Sequence, residues 1–137
     1  MTNEPGNADQ NALRAFRLGV YFAQLTSHGG CDAIRTDADF WENGIANLPL
    51  GRLVSLVDSV ANWDSWERHP HGAEFILQLS GKLELVLEND GKETFVLLQE
   101  QDFAIVPQAV WHTANVPEPG AALYITPGEG TETRSRI

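Results

Sequence analysis

The sequence holds one cysteine, Cys31, so no disulfide can close within the chain, and a reducing, cytoplasmic location is expected. Cys31 follows Gly29-Gly30 and has no base beside it, which gives no sign of an activated nucleophile. Basic residues are scarce: 9 Lys and Arg stand against 19 Asp and Glu, a formal net charge of -10. Nucleic acids and anionic membrane surfaces both select a basic footprint, so neither is expected as a partner. Long apolar runs are missing as well, and none approaches the roughly 18 residues that a membrane span needs. The opening MTNEPGNADQN has no basic region followed by an apolar one, so no signal peptide is expected. A phosphate-binding loop, a G-x-G-x-x-G fingerprint, a nucleophile elbow and Cys/His zinc-finger spacing are all lacking.

What is present is one domain's worth of chain: 137 residues, 42% hydrophobic and 20% charged. Residues 1–12 are polar and expected to be flexible, and the 129–137 tail, EGTETRSRI, is polar and expected to be loose. From Gly51 onward the apolar residues alternate with period two, the signature of strands. Arg52–Val60 reads as a strand. In KLELVLE, Leu83, Leu85 and Leu87 share one face while Lys82, Glu84, Val86 and Glu88 share the other, a strand half in water. Asn89-Asp90-Gly91 is a hairpin signal, with Lys92–Leu98 as the returning strand. Phe103–Val106, Trp111–Val116 and Ala121–Thr126 continue the series. The aromatic and β-branched content of 16–22 favours a strand there, and 37–47 reads as a short helical turn capped by Asp37 or Asp39. Short strands between turns predict an all-β sandwich or barrel with little helix. Phe75, Leu77 and Leu79 alternate with Glu74, Ile76 and Gln78, so this strand is expected to be covered on both faces, by the barrel interior and by a second sheet or subunit.

The segment WERHPHGAEFILQLSG, residues 66–81, places costly groups at the mouth of that strand. Glu67, His69 and His71 have one parity, so an extended chain aims all three the same way. A turn over Pro70–Ala73 returns Glu74 close to His69. Carboxylates and imidazoles gathered in an interior cost several kcal/mol each, by order of magnitude, unless paired or bound to metal. A divalent cation removes that cost, and His112, in a strand-like stretch after Pro107, is the natural further ligand.

These residues resemble the motifs of the cupins. The first cupin motif reads G-x5-H-x-H-x3-4-E-x6-G, and Glu67-x-His69-x4-Glu74-x6-Gly81 keeps its spacing. Glu67 stands at the usual first histidine, and Ala61 replaces the leading glycine. The second motif reads G-x5-P-x-G-x2-H-x3-N, and Gln101-x5-Pro107-x-Ala109-x2-His112 keeps its frame, with Gln101 and Ala109 in place of glycines and Asn115 one residue early. The resemblance covers about Arg52 to Thr126. It implies a jelly-roll β-barrel of two antiparallel sheets over 13–128, with an N-terminal lid segment, and a homodimer. His69, Glu74 and His112 become implied metal ligands, a set that suits Fe(II), Mn(II) or Zn(II). Glu67 is a fourth ligand or a proton-transfer group. An alternative alignment takes His69 and His71 as the H-x-H pair, making His71 the ligand. A hydrogen-bonded pocket without any ion is the other alternative.

Gln78 shares the face of Glu74 and is expected in the substrate pocket, with Trp63 and Trp111 beside the cluster. Trp41 lies on the lid segment, His28 in a surface loop, and Arg52 and Arg68 in surface ion pairs. The function so implied is a small-molecule metalloprotein, an enzyme of oxygenase, isomerase or lyase type acting on an oxygen-bearing substrate. The alternative is a non-catalytic sensor or storage protein that binds a small molecule, with or without metal.

Overall fold

A computed structural model describes residues 13–37, 40, 41, 48 and 50–136. The flexible segment expected over 1–12 and the cap at Asp39 lie outside these residues, as does most of the helical turn expected over 37–47. Eleven strands follow in chain order: β1 Tyr21–Thr26, β2 Cys31–Arg35, β3 Gly51–Ser59, β4 Ser65–Arg68, β5 Glu74–Gln78 and β6 Lys82–Asn89, then β7 Lys92–Leu98, β8 Phe103–Val106, β9 Trp111–Glu118, β10 Gly120–Thr126 and β11 Glu132–Ser135. They form two antiparallel sheets. One has six strands in the order β2-β1-β3-β10-β5-β8, the other five in the order β11-β4-β9-β6-β7. From β3 onward every connection except the β6–β7 hairpin crosses between the sheets, which is a jelly-roll arrangement.

The period-two pattern explains the core. Ile76, Val106, Ala122 and Tyr124 from the six-stranded sheet meet Leu83, Leu85, Leu98 and Ala114 from the other, and all are buried. Burying each large aliphatic side chain contributes about 2 kcal/mol. Phe22, Phe40 and Leu53 form a second cluster toward the β1 edge. The β6–β7 hairpin turns at Asp90 and Gly91, both with positive φ, which the Asn-Asp-Gly sequence makes affordable. Val86 differs from expectation. It is buried on the outer face, in register with Phe95 on one side and Thr113 on the other.

One further expectation is corrected. The C-terminal tail is ordered into β11, which pairs with β4 through Glu132↔Arg68 to Ser135↔Ser65. Of the two covers expected for the outer face of β5, no second sheet is found among the described residues: on the neighbouring β8, Phe103 and Ile105, in register with Leu77 and Phe75, are 58% and 61% exposed.

Candidate metal centre

Strand pairing assembles the site. Glu67 on β4 and His112 on β9 are direct cross-strand partners, so both leave the same face of the five-stranded sheet. His69 follows just past the end of β4, and a turn at 70–72 returns the chain to Glu74 at the start of β5. The facing sheet thus delivers a carboxylate to imidazoles held by the other. His69, Glu74 and His112 are 3%, 4% and 0% exposed. The rings of His69 and His112 lie 5.3 Å apart. Glu67, His69 and His112 each offer a ligand atom within 4.8 Å of the others.

Hydrogen bonds behind the rings fix what the rings present in front. Thr131 donates its hydroxyl to the Gly128 carbonyl at 2.7 Å, so its oxygen accepts from His69 Nδ1 at 2.9 Å. His112 Nδ1 donates to the Val110 carbonyl at 3.1 Å. Each neutral ring therefore carries its proton on Nδ1 and turns the Nε2 lone pair toward Glu74. Thr126 donates to Glu74 Oε2 at 2.6 Å and orients the carboxylate. His112 Nε2 stands 3.0 Å from Glu74 Oε1, and His69 Nε2 stands 3.4 Å from Oε2. These approaches are close yet not well directed as hydrogen bonds, and both Nε2 atoms and Glu74 Oε1 are left buried without a partner among the described residues. Lone pairs facing a carboxylate at this range repel unless a proton or a metal ion lies among them. The donor set therefore fits a divalent cation, and the bonds to Nδ1 are those that metal-bound imidazoles need.

The protonation of the cluster follows from the same crowding. Burial pushes the Glu74 carboxyl up, but His112 and His69 beside it outweigh burial and hold it well below the usual carboxylate range. Burial pulls His112 down, and the Glu74 carboxylate, the Val110 carbonyl and Glu67 more than reverse this, so His112 titrates above its ordinary value. Burial and the Glu74 charge raise Glu67, against the opposing pull of His69 and His112.

A cavity of about 760 Å³ opens beside the cluster, lined by Glu67, His69 and Glu74 and by Trp41, Trp63, Ser55, Tyr124 and others. His112 stands behind it and does not line it. Trp63 lines it, with its ring 6.5 Å from His112 and its Nε1 donating to Ser59 Oγ at 3.4 Å. Trp111 does not. It neighbours His112 in sequence, so strand alternation sends it to the outer face, where Arg68 and Arg134 lie 4.8 and 4.6 Å from its ring. Gln78 also falls outside the lining. It is buried further along the inner face of β5, past Ile76, and donates to the Ser80 carbonyl at 2.6 Å. His71 is exposed and borders a separate cavity with Arg52 and Glu129, so the alternative alignment places its histidine away from the cluster. His28 is exposed, and Arg68 pairs with Glu132 at the surface. Thr126 and Thr131 were not singled out by sequence reasoning. Thr126 was within reach, since it shares parity with Ala122 and Tyr124 on β10. Thr131 was not, because nothing in a polar tail shows which strand it will pair with.

No protein-family model and no curated protein matches the chain. Solved structures do. A hydroquinone 1,2-dioxygenase in complex with Cd2+ and 4-hydroxybenzonitrile matches at 21% identity with TM-score 0.50, over 58% of this chain and 60% of that one. A cupin-2 domain protein from Shewanella frigidimarina matches at 20% identity with TM-score 0.48, over 56% of this chain and 70% of that one. A hydroquinone 1,2-dioxygenase from Sphingomonas with 4-hydroxybenzoate bound matches at 16% identity with TM-score 0.49, over 55% and 58%. The chain thus spans about 60% or less of the dioxygenase chains it matches. The likeness is one of fold, and the fold is that of the cupins. No helix among the described residues is long and apolar enough to cross a membrane.

Proposed function

We propose that this cupin-fold chain is a small-molecule metalloenzyme: His69, Glu74 and His112 hold one divalent ion, Fe(II), Mn(II) or Zn(II), beside a cavity that receives an oxygen-bearing substrate. The supporting observation is the pair of buried Nε2 lone pairs turned onto Glu74, with both Nδ1 protons committed behind them. Such an ion supplies a Lewis acid for a substrate oxygen, or a one-electron couple if it is iron. The protein supplies the rest. Thr126 and Thr131 hold the ligand side chains in register. Glu67, half-buried on the cavity wall with its carboxyl raised, holds its proton to higher pH than an ordinary glutamate and can exchange it with the substrate.

Metal content measured by mass spectrometry on protein purified without chelator tests this reading. About one ion per chain is expected, with loss of that ion in His112→Ala and His69→Ala. A metal-free wild type that also fails to take up Fe(II), Mn(II) or Zn(II), or variants that keep a full complement, would overturn it. A stoichiometric ion without turnover of any oxygen-bearing substrate would leave the non-catalytic binding protein.

The exposed apolar face is proposed to pair with a second copy. Phe75 and Phe103 stack there at 5.0 Å beside exposed Ile105. Sedimentation of Phe103→Lys as a monomer against a dimeric wild type checks it. The one thiol, Cys31, is exposed and free, which suits a reducing cytoplasm.

A further inference from the structure

The walls of the cavity carry a statement about the charge of its occupant. All 9 Lys and Arg of the sequence lie within the described residues, and none lines the cavity. The three basic residues of β4, β11 and the residue after β11 are committed elsewhere. Arg68 pairs with Glu132 and Arg134 with Glu88, while Arg136 donates to the Trp63 and Ala114 carbonyls and to Asn115. The lining instead includes Asp58 and Asp64 in addition to Glu67 and Glu74. Even with a divalent ion balancing the two glutamates, the remaining charge is negative. A carboxylate or phosphate on the ligand meets like charge here and no lysine or arginine to pair with.

A second observation is independent of charge. Ser55 on β3 and Tyr124 on β10 are direct cross-strand partners, 1% and 5% exposed, and both line the cavity. Among the described residues neither Ser55 Oγ nor the Tyr124 hydroxyl makes a well-directed hydrogen bond, although Ser59 lies close enough to the phenol to act on it. Buried hydroxyls cost stability unless something bonds to them, so a pair left unbonded beside a cavity that both residues line is a place for a ligand's polar group. Burial, then the charges of Glu74 and Glu67, push the Tyr124 phenol up, so it keeps its proton and can donate. Trp41 and Trp63 supply flat apolar surface on the same wall system.

We propose that the cavity takes an uncharged or cationic ring-bearing small molecule, bound through a hydroxyl, amide or amino group to Ser55 and Tyr124, and discriminates against carboxylates and phosphates. This deepens the reading of the cavity as a small-molecule site and does not depend on the ion.

Three probes of one size separate the charges: 4-hydroxyphenylacetamide, its isosteric carboxylate 4-hydroxyphenylacetate, and tyramine. Their dissociation constants are measured by calorimetry or ligand-observed NMR on protein stripped with chelator. The amide and the amine should bind, with the carboxylate at least about tenfold weaker. Tyr124→Phe and Ser55→Ala should each weaken the amide about fivefold, with melting curves showing that each variant is folded. Carboxylate binding equal to the amide overturns the proposal, as does failure of all three to bind, or an amide affinity unchanged in both folded variants. If the chain takes up no metal, the function proposed above fails while these affinities stand. If the carboxylate binds as well as the amide in protein that does take up metal, this inference alone fails.

Discussion

Thr131 Oγ1 sits 2.9 Å from His69 Nδ1, across a sequence separation of 62 residues. The contact ties the segment before β11 to the candidate metal centre, and β11 is pinned in turn by Arg68–Glu132 and Arg134–Glu88. Removing the hydroxyl leaves His69 free to turn or to move its proton to Nε2, where it blocks a metal. Thr131→Val should therefore weaken Zn(II) or Mn(II) affinity about 10- to 100-fold with the fold intact, and Thr131→Ser should restore it. Competition against a metallochromic dye reads the loss.

Acid should compete with metal. His112 titrates above its ordinary value, and its Nε2 lone pair becomes available only when the ring is neutral. Metal affinity should rise as pH rises through the His112 pKa and level off above it, with a proton released on binding. Calorimetry in buffers of different ionisation enthalpy counts that proton, and an affinity independent of pH would contradict the raised titration of His112.

The metal-free protein should lose stability in both directions. The depressed Glu74 contributes stability above the ordinary carboxylate pKa and loses it as pH falls toward its folded value. The raised His112 contributes fully below the ordinary imidazole pKa and loses that contribution as pH rises through its folded value. The raised Glu67 acts in the same direction, costing stability as it ionises. Melting curves with chelator should peak on the mildly acid side, and added Zn(II) should remove the decline toward alkaline pH.

Gln101 and Ala109, which occupy glycine positions of the second cupin motif, have φ of 71° and 62°. Left-handed backbone costs a non-glycine residue roughly 1–2 kcal/mol, partly offset by the lower entropy of its unfolded chain. Gln101→Gly and Ala109→Gly should each stabilise by about 0.5–1 kcal/mol in urea titrations. Gly81 is the opposite case, with φ +68 and a would-be Cβ 2.3 Å from the Pro119 carbonyl. Gly81→Ala should cost more than about 2 kcal/mol.

His71→Ala should leave metal affinity unchanged, since His71 is exposed and borders another cavity. A tenfold loss would restore the second alignment of the H-x-H pair.

Much of the fold was legible because strands write their alternation directly. The β6–β7 hairpin is read from apolar parity and from Asn89-Asp90-Gly91, and the structure pairs Asn89 with Lys92. The same parity puts Glu67 and His69 on one side. It also sends Trp111 to the face opposite His112, so nearness in sequence gives Trp111 no place in the pocket. Gln78 has the right face of β5 but the wrong depth, since alternation fixes the side of a sheet and not the distance along the barrel.

By itself the sequence determined the all-β character, the turns, the two spaced motifs and the identity of the groups that could hold a cation. It also set the scarcity of basic residues. Only the tertiary structure decided which of those groups meet. Cross-strand register set Glu67 against His112, two sheets brought Glu74 to both imidazoles, and β11 brought Thr131 behind His69. Local patterning fixes the direction a side chain leaves its strand, whereas its neighbours across a barrel depend on strand order and packing, which are properties of the whole chain.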